Sequence, residues 1–271
     1  MVELRDDVCF SPEDFRAYLA GRLGRPESEI SVPADVLFTY DRRIFRAATS
    51  ERTASPVDWY IYSDRMYTRR VGHREVGVVH ALIGASAAAM NLEELIAYGA
   101  KRIYEVGVSG AIDAGLRPGD VVVLQGAFSD EGTSRHYFRG TRSFSPSHKL
   151  TRRLEASLRA SGIKYVSGGA WSVDAPYRET KRNVARRLSS GARVVNMESS
   201  AIFAVATYRR VEAASVQVIS DVVSERWEPA FHTEAVNKRR LEVLGAVLRA
   251  MSKSPGWGTE SSRSPSCARI A

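Results

Sequence analysis

Cysteine is nearly missing. The 271 residues hold two, Cys9 and Cys267, near opposite ends, and no metal-type cluster such as C-x-x-C occurs. A disulfide scaffold is excluded, and the usage suits a reducing cytosol. No run of eighteen apolar residues occurs, so no membrane span is expected. The opening Met1-Val-Glu-Leu-Arg-Asp-Asp lacks the basic-then-apolar order of a signal peptide, and a cytoplasmic protein is expected. Charge of one sign is never concentrated. Lys+Arg (39) exceeds Asp+Glu (31) by 8, yet no block of five like charges exists. That argues against a basic nucleic-acid arm and for scattered solvated arginines, some of them free to meet an anionic ligand.

What remains is ordinary for a globular protein: 44% hydrophobic and 26% charged residues, in a chain long enough for a sizeable core. Residues 11–24 read as a helix, with Ser11 as cap, Pro12 at its first position and Phe15, Leu19 and Leu23 at i, i+4, i+8. Residues 32–75 are irregular and predict only short strands and loops. Then strands and helices alternate. Strands are predicted at 76–83, 102–108, 120–124, 193–195 and 214–220. Helices are predicted at about 87–98, 148–161, 178–190, 197–209 and 233–251. This alternation predicts an α/β protein with a largely parallel sheet. Residues 252–271 hold six Ser, two Pro and two Gly and read as a disordered tail after one domain spanning 1–251.

In an open α/β sheet, ligands collect at the carboxyl ends of strands. Four segments put polar or flexible groups there: Gly84-Ala85-Ser86, Gly107-Val108-Ser109-Gly110, Asn196-Met197-Glu198-Ser199-Ser200 and Ser220-Asp221. A helix opening after glycine offers free N–H groups to an anion, and paired glycines allow close backbone approach. Any one of these is commonly a plain turn. His80, on a strand, reads as a satisfied core histidine.

Together the segments resemble the nucleoside phosphorylase superfamily, which includes uridine phosphorylase, hexameric purine nucleoside phosphorylase and the methylthioadenosine nucleosidases. The likeness runs through Leu92–Ala100, Gly107–Ile112, Pro118–Val122, Val195–Ala206 and Val218–Asp221 and covers about residues 76–250. It implies a single-domain, three-layer α/β fold with a mixed, mostly parallel sheet flanked by helices. By position it implies that Glu198 clamps the ribose, with Met197 under the sugar, and that Asp221 assists protonation of a purine at N7. The physics agrees, since a carboxylate accepts from two adjacent hydroxyls, and a proton at the base eases departure of a poor leaving group. Trp171–Arg178 falls at the base-binding segment, with Tyr177 and Arg178 as wall residues and Trp227 as a stacking or packing residue. Thr180 stands near the place of a uracil-reading glutamine, which favours purine over uridine. Asp130–Tyr137, with His136, reads as a cover loop.

The acceptor side departs from the family. The stretch Val32–Arg43 does not match the usual Gly-Asp-x-x-Arg phosphate nest; Glu105 stands where an arginine holds phosphate, and Val108 replaces a threonine. Ser86, Gly107, Val108, Ser109 and Arg65 form the expected acceptor region, with Arg42 and Arg43 as further cations; Arg65 loosely matches an arginine lent by a neighbouring subunit. Two acceptors stay open: phosphate, by family habit, as an inorganic co-substrate, or water oriented or deprotonated by Glu105. Glu105 could instead turn away and pair with an arginine. A non-catalytic nucleoside binder is the remaining alternative. No metal or redox cofactor is implied; the expected partners are a nucleoside and further copies of the chain, as a homodimer or larger.

Overall fold

A computed structural model of the chain describes residues 2–3, 8–50, 52–61, 65–223 and 226–253. The chain begins with β1 (Val2–Glu3), α1 (Pro12–Leu23), β2 (Asp35–Thr39) and α2 (Arg42–Thr49). An edge follows, β3 (Ala54–Pro56), β4 (Met66–Val71) and β5 (Arg74–His80), then α3 (Ala85–Ala97) and β6 (Arg102–Ala111). Next come β7 (Val121–Asp130), β8 (Phe138–Arg139), β9 (Ser143–Phe144), α4 (His148–Ala160), β10 (Val166–Val173) and α5 (Lys181–Ser189). The last elements are β11 (Ala192–Asn196), α6 (Ser199–Tyr208), β12 (Glu212–Val223), β13 (Trp227–Pro229) and α7 (Glu234–Ser252).

The main sheet runs β13-β12-β7-β10-β11-β6-β2-β5-β4-β3. Strand β12 also pairs with β6, so β12, β7, β10, β11 and β6 close into a ring. Pairing is parallel for β2–β5, β2–β6, β6–β12, β7–β10 and β10–β11, and antiparallel for β6–β11 and β7–β12. The mixed sheet matches the expected class. Its faces follow from the two-residue period of a strand. In β2, Val36 and Phe38 enter a core with Leu92 and Leu95 of α3 and Phe203 of α6. Leu37 enters the opposite core, with Leu154 of α4 and Val243 and Val247 of α7. Helices therefore cover both faces, giving the three layers.

Helix boundaries follow their caps. Ser11 and Asp14 form a reciprocal capping box at α1, and Gly24 ends it in the left-handed region. Helix α2 departs from the expected strands and loops. Its buried face is Ile44, Phe45 and Ala48, one short apolar stripe on a helix of only eight residues rich in arginine, and Asp41 nucleates it by accepting from the Arg43 and Ile44 N–H groups. Strand β10 is a second addition, hidden because Gly168-Gly169 breaks its apolar pattern. Helix α3 starts at Ala85 rather than Ala87. Helix α6 starts at Ser199 with Glu198 as its N-cap residue, not at Met197 after Asn196. Ser252 and Lys253 belong to the end of α7, and residues 254–271 of the expected tail lie outside the described residues.

Candidate active site

The antiparallel pairing of β11 with β6 sets the geometry. Val194 faces Ala111 and Val195 faces Gly110, so the chain beyond Asn196 doubles back along the middle of β6. Ser199 thereby reaches Glu105, its hydroxyl donating to Oε2 at 2.8 Å. Tyr40, just past the end of β2, donates its hydroxyl to Oε1 at 3.4 Å. Glu105 is fully buried and pairs with no arginine among the described residues. Burial pushes its carboxyl above the usual range, while hydroxyls of Ser215, Ser199 and Tyr40 pull the other way. The Tyr40 hydroxyl is raised by burial and by the charges of Glu105 and Glu198.

Glu198 lies beside this cluster. Its Oε1 accepts the Gly84 N–H at 2.9 Å and its Oε2 the Met197 N–H at 3.1 Å. Gly84 sits at φ +98°, a conformation that side-chain-bearing residues rarely adopt, which is what turns its N–H toward the carboxylate. Burial raises the Glu198 carboxyl to about 7; the Gly84 bond opposes this and the Glu105 charge adds to it. Two buried acids, Glu105 and Glu198, therefore lie close enough for the charge of one to act on the other.

Asp221 marks the other end. It is buried, in register with Gly110, and Oδ1 accepts the Ser220 hydroxyl at 2.8 Å. Its Oδ2 accepts the Trp227 indole N–H at 2.9 Å. Trp227 is otherwise exposed; it lies on edge strand β13 opposite Val223, and Pro229 is the register partner of Asp221. Glu179, from the loop after β10, comes close enough for the Asp221 charge to act on it.

Several expected residues are placed elsewhere. Ser109 is buried and donates to Gln217 Oε1 at 3.1 Å, so its hydroxyl is committed inside the core. Gly107 serves the same packing: a Cβ there would stand 2.7 Å from Gln217 Oε1. Val108 is half-buried. Ser86 is exposed and faces a cavity shared with Thr133, Arg135 and His136. Arg65 reaches the His80 carbonyl at 3.5 Å, not Glu105. Tyr177 is 99% exposed and lines no wall within one chain, and Arg178 faces a cavity with Asp130, Asp174 and Arg186. Thr180 caps α5, accepting the Asn183 N–H at 3.3 Å. The segment expected to be a cover loop is pinned by buried Glu131, which accepts from Ser129, Ser134 and Ser200. His80 is half-buried, stacks on Phe45 and sits against the Tyr40 carbonyl. Its ring is lowered by burial, then by Arg65, with Arg42 adding.

Tyr40 is a partner of Glu105 that the sequence alone does not single out, while Ser199 falls in the candidate segment 196–200 without its partner being evident. Ser199 adjoins Glu198 and Tyr40 lies in the stretch lacking the nest, but only the β6–β11 and β2–β6 registers reveal that they meet Glu105.

A ring-closed mixed sheet between helical layers, with acids and hydroxyls gathered where strands β2, β6, β11 and β12 approach one another, defines an α/β chain of the nucleoside-phosphorylase type. The phosphorylase superfamily model matches residues 43–251, and the chain belongs to that family. Solved structures share the fold. Purine nucleoside phosphorylase from Toxoplasma gondii, in complex with immucillin-H, gives a TM-score of 0.73 at 18% identity, covering 82% of this chain and 91% of that one. Uridine phosphorylase from Vibrio fischeri gives 0.71 at 23% identity, covering 83% and 95%. In sequence, a DeoD-type purine nucleoside phosphorylase from an Exiguobacterium species is 26% identical over 151 residues, covering 55% of this chain and 63% of the relative. A uridine phosphorylase from Thermococcus kodakarensis is 29% identical over 185 residues, covering 63% and 67%. The chain thus spans less than two thirds of the DeoD-type relative's length.

Proposed function

We propose that the protein cleaves the N-glycosidic bond of a purine-like nucleoside and passes the sugar to water. One observation carries the reading: at the strand position where the resemblance expects a phosphate-holding arginine, Glu105 is buried and bonded to Tyr40 and Ser199. Anionic phosphate is repelled by an ionised carboxylate, and Glu105 brings no cation in place of the expected arginine. The start of α2, another place for an anion, is already filled by the protein's own Asp41, which also lies 3.1 Å from Arg240.

In this reading Glu198 accepts from two sugar hydroxyls, exchanging its Gly84 and Met197 bonds for them. Glu105, steadied by Tyr40 and Ser199, takes a proton from the attacking water. The water oxygen bonds to the anomeric carbon, the carbon–nitrogen pair moves onto the base, and a proton supplied at the Asp221 end completes the neutral base. Family habit supports a second acceptor. Phosphate could be held by Arg42 and Arg65, whose charges both act on His80. The reading includes a cytoplasmic homodimer or larger homo-oligomer, supported by an apolar groove of about 620 Å³ lined by Phe10, Phe15, Ile61 and Met90; light scattering tests it.

The deciding experiment follows base release over a purine and pyrimidine nucleoside panel, with and without phosphate, and identifies the sugar by NMR. Free sugar at a phosphate-independent rate is expected. A sugar 1-phosphate made by the wild type would overturn water as acceptor, and no base from any nucleoside would overturn the cleavage reading itself.

A further inference from the structure

The segment Asn196–Ser200 holds more than the clamp glutamate. Asn196 ends β11 opposite Ser172 of β10 in the parallel register. Both are buried, as are Ser199 and Ser200 at the start of α6. Their polar atoms form one chain of hydrogen bonds that ends on Glu105. The Ser200 N–H donates to Ser172 Oγ at 3.0 Å, and the Ser172 hydroxyl donates to Asn196 Oδ1 at 2.8 Å. Asn196 Nδ2 donates to Ser199 Oγ at 2.7 Å, and the Ser199 hydroxyl donates to Glu105 Oε2 at 2.8 Å.

The direction of this chain is fixed by what each group can give. A hydroxyl carries one proton, and an amide donates only through its nitrogen. The Ser172 proton has no acceptor but Asn196 Oδ1 among the described residues. Turning the amide over would leave that buried proton unpaired, so the amide keeps its nitrogen toward Ser199. Ser199 Oγ then accepts from Asn196, and its own proton is left for Glu105. The consequence falls on the acid. A hydroxyl free to rotate serves a protonated carboxyl as acceptor as readily as it serves a carboxylate as donor. A hydroxyl held as a donor favours the carboxylate alone. Burial draws Glu105 the other way, toward its neutral form.

We propose that Asn196 is a positioning residue for the base: it locks the Ser199 hydroxyl as a donor and so holds Glu105 as a carboxylate able to take the proton of the attacking water. The inference rests on the reading in which water accepts the sugar. Asn196 itself reaches Glu105 only through Ser199. The titratable groups that face Glu105 are Tyr40, which donates to Oε1, and Glu198, whose carboxyl feels the Glu105 charge. Strand β12 presents Ser215 opposite it, which carries no charge. None of the three bonds to Ser199.

The test reads the Glu105 carboxyl by infrared titration, its band assigned by loss in Glu105→Gln. Wild type, Ser199→Ala, Asn196→Asp and the double variant are compared, with melting curves to establish that each is folded. Asn196→Asp keeps the side chain's shape but puts an acceptor where Ser199 meets a donor, so the hydroxyl turns from Glu105. Ser199→Ala removes the proton and adds no charge. Each should raise the Glu105 midpoint, Ser199→Ala by about one pH unit. The double variant should stand within roughly 0.3 pH units of Asn196→Asp alone, because both changes act through one hydroxyl. For each single variant, kcat/KM for guanosine should fall more at pH 6 than at pH 9. A midpoint unmoved in Ser199→Ala, or two shifts that simply add in the double variant, would overturn the role of Asn196 whether or not nucleosides are cleaved. Ser199→Ala carries the test by itself if Asn196→Asp does not fold. A wild type that releases base only when phosphate is present would overturn the water reading and leave the Glu105 shifts standing.

Discussion

Glu198 and Gly84, 114 positions apart, meet through a 2.9 Å hydrogen bond from the glycine N–H to the carboxylate. The contact ties the start of α3 to the start of α6, and both helices begin at the candidate sugar site. It also fixes the Glu198 carboxylate against the backbone, so in the proposed reading an arriving sugar has to displace the Gly84 bond.

Glu198→Ala should raise KM and lower kcat together, a loss of about 2–4 kcal/mol in transition-state binding, as for other lost charged hydrogen bonds. Glu198 must be ionised to accept from two hydroxyls, and its carboxyl lies at about 7. Activity should therefore climb as pH rises through that value, and Glu198→Gln should remove the Glu198 part of this acid limb, leaving the part that Glu105 contributes as base. Activity of Glu198→Ala within threefold of wild type removes it from the site.

Glu94 gives a prediction about stability. It lies on α3, is 8% exposed, and its Oε2 has no hydrogen-bond partner. Burial alone raises its carboxyl from 4.5 to about 7. The sign follows from linkage: the folded state binds the proton more tightly than the unfolded state, so this stabilising contribution is complete below about 4.5 and is lost as pH rises through about 7. Glu94→Gln should thus gain stability on the wild type between pH 5 and pH 8, by about 1–3 kcal/mol. Melting temperatures at the two pH values measure it; a gap that stays constant contradicts the assignment.

The sequence made some of this legible and concealed the rest for identifiable reasons. Strand and helix alternation from Val76 onward, the class of fold and the polar segments at 84–86, 107–110, 196–200 and 220–221 could be read because local pattern and capping determine them. Glu105 stood out because its charge is wrong for the position. Its partners did not, because Tyr40 and Ser199 approach it only through the registers β2–β6 and β6–β11, which no local pattern encodes. Ser109 looked available and is not, since Gln217 lies 108 positions away and takes its hydroxyl. Tyr177 looked like a wall residue by its chemistry, yet in the turn Pro176–Arg178 it stands 99% exposed.

The buried pair that sets the β2–β6 register offers the last prediction. Asp35 and Arg102 are register partners, 1% and 2% exposed. The arginine donates Nε to Oδ1 at 2.7 Å and Nη2 to Oδ2 at 2.6 Å, while Arg74 approaches from β5 at 3.3 Å. Both residues lie at the amino ends of their strands, and the pairing continues through Phe38 opposite Glu105 to Thr39 opposite Val106. Fixing this end in register therefore places Tyr40 within reach of Glu105 at the other. Asp35→Ala would leave a buried guanidinium with its main partner gone, a cost of about 3–5 kcal/mol. For a chain of this size that corresponds to a fall in Tm of roughly 6–20 °C. Replacing both partners with apolar residues, Asp35→Leu with Arg102→Met, should recover much of the loss, because no uncompensated charge then remains. Denaturant melts of the single and double variants measure both steps. A single-variant loss below about 1 kcal/mol would show that Arg74 or water compensates the charge, and that the pair does not hold the register.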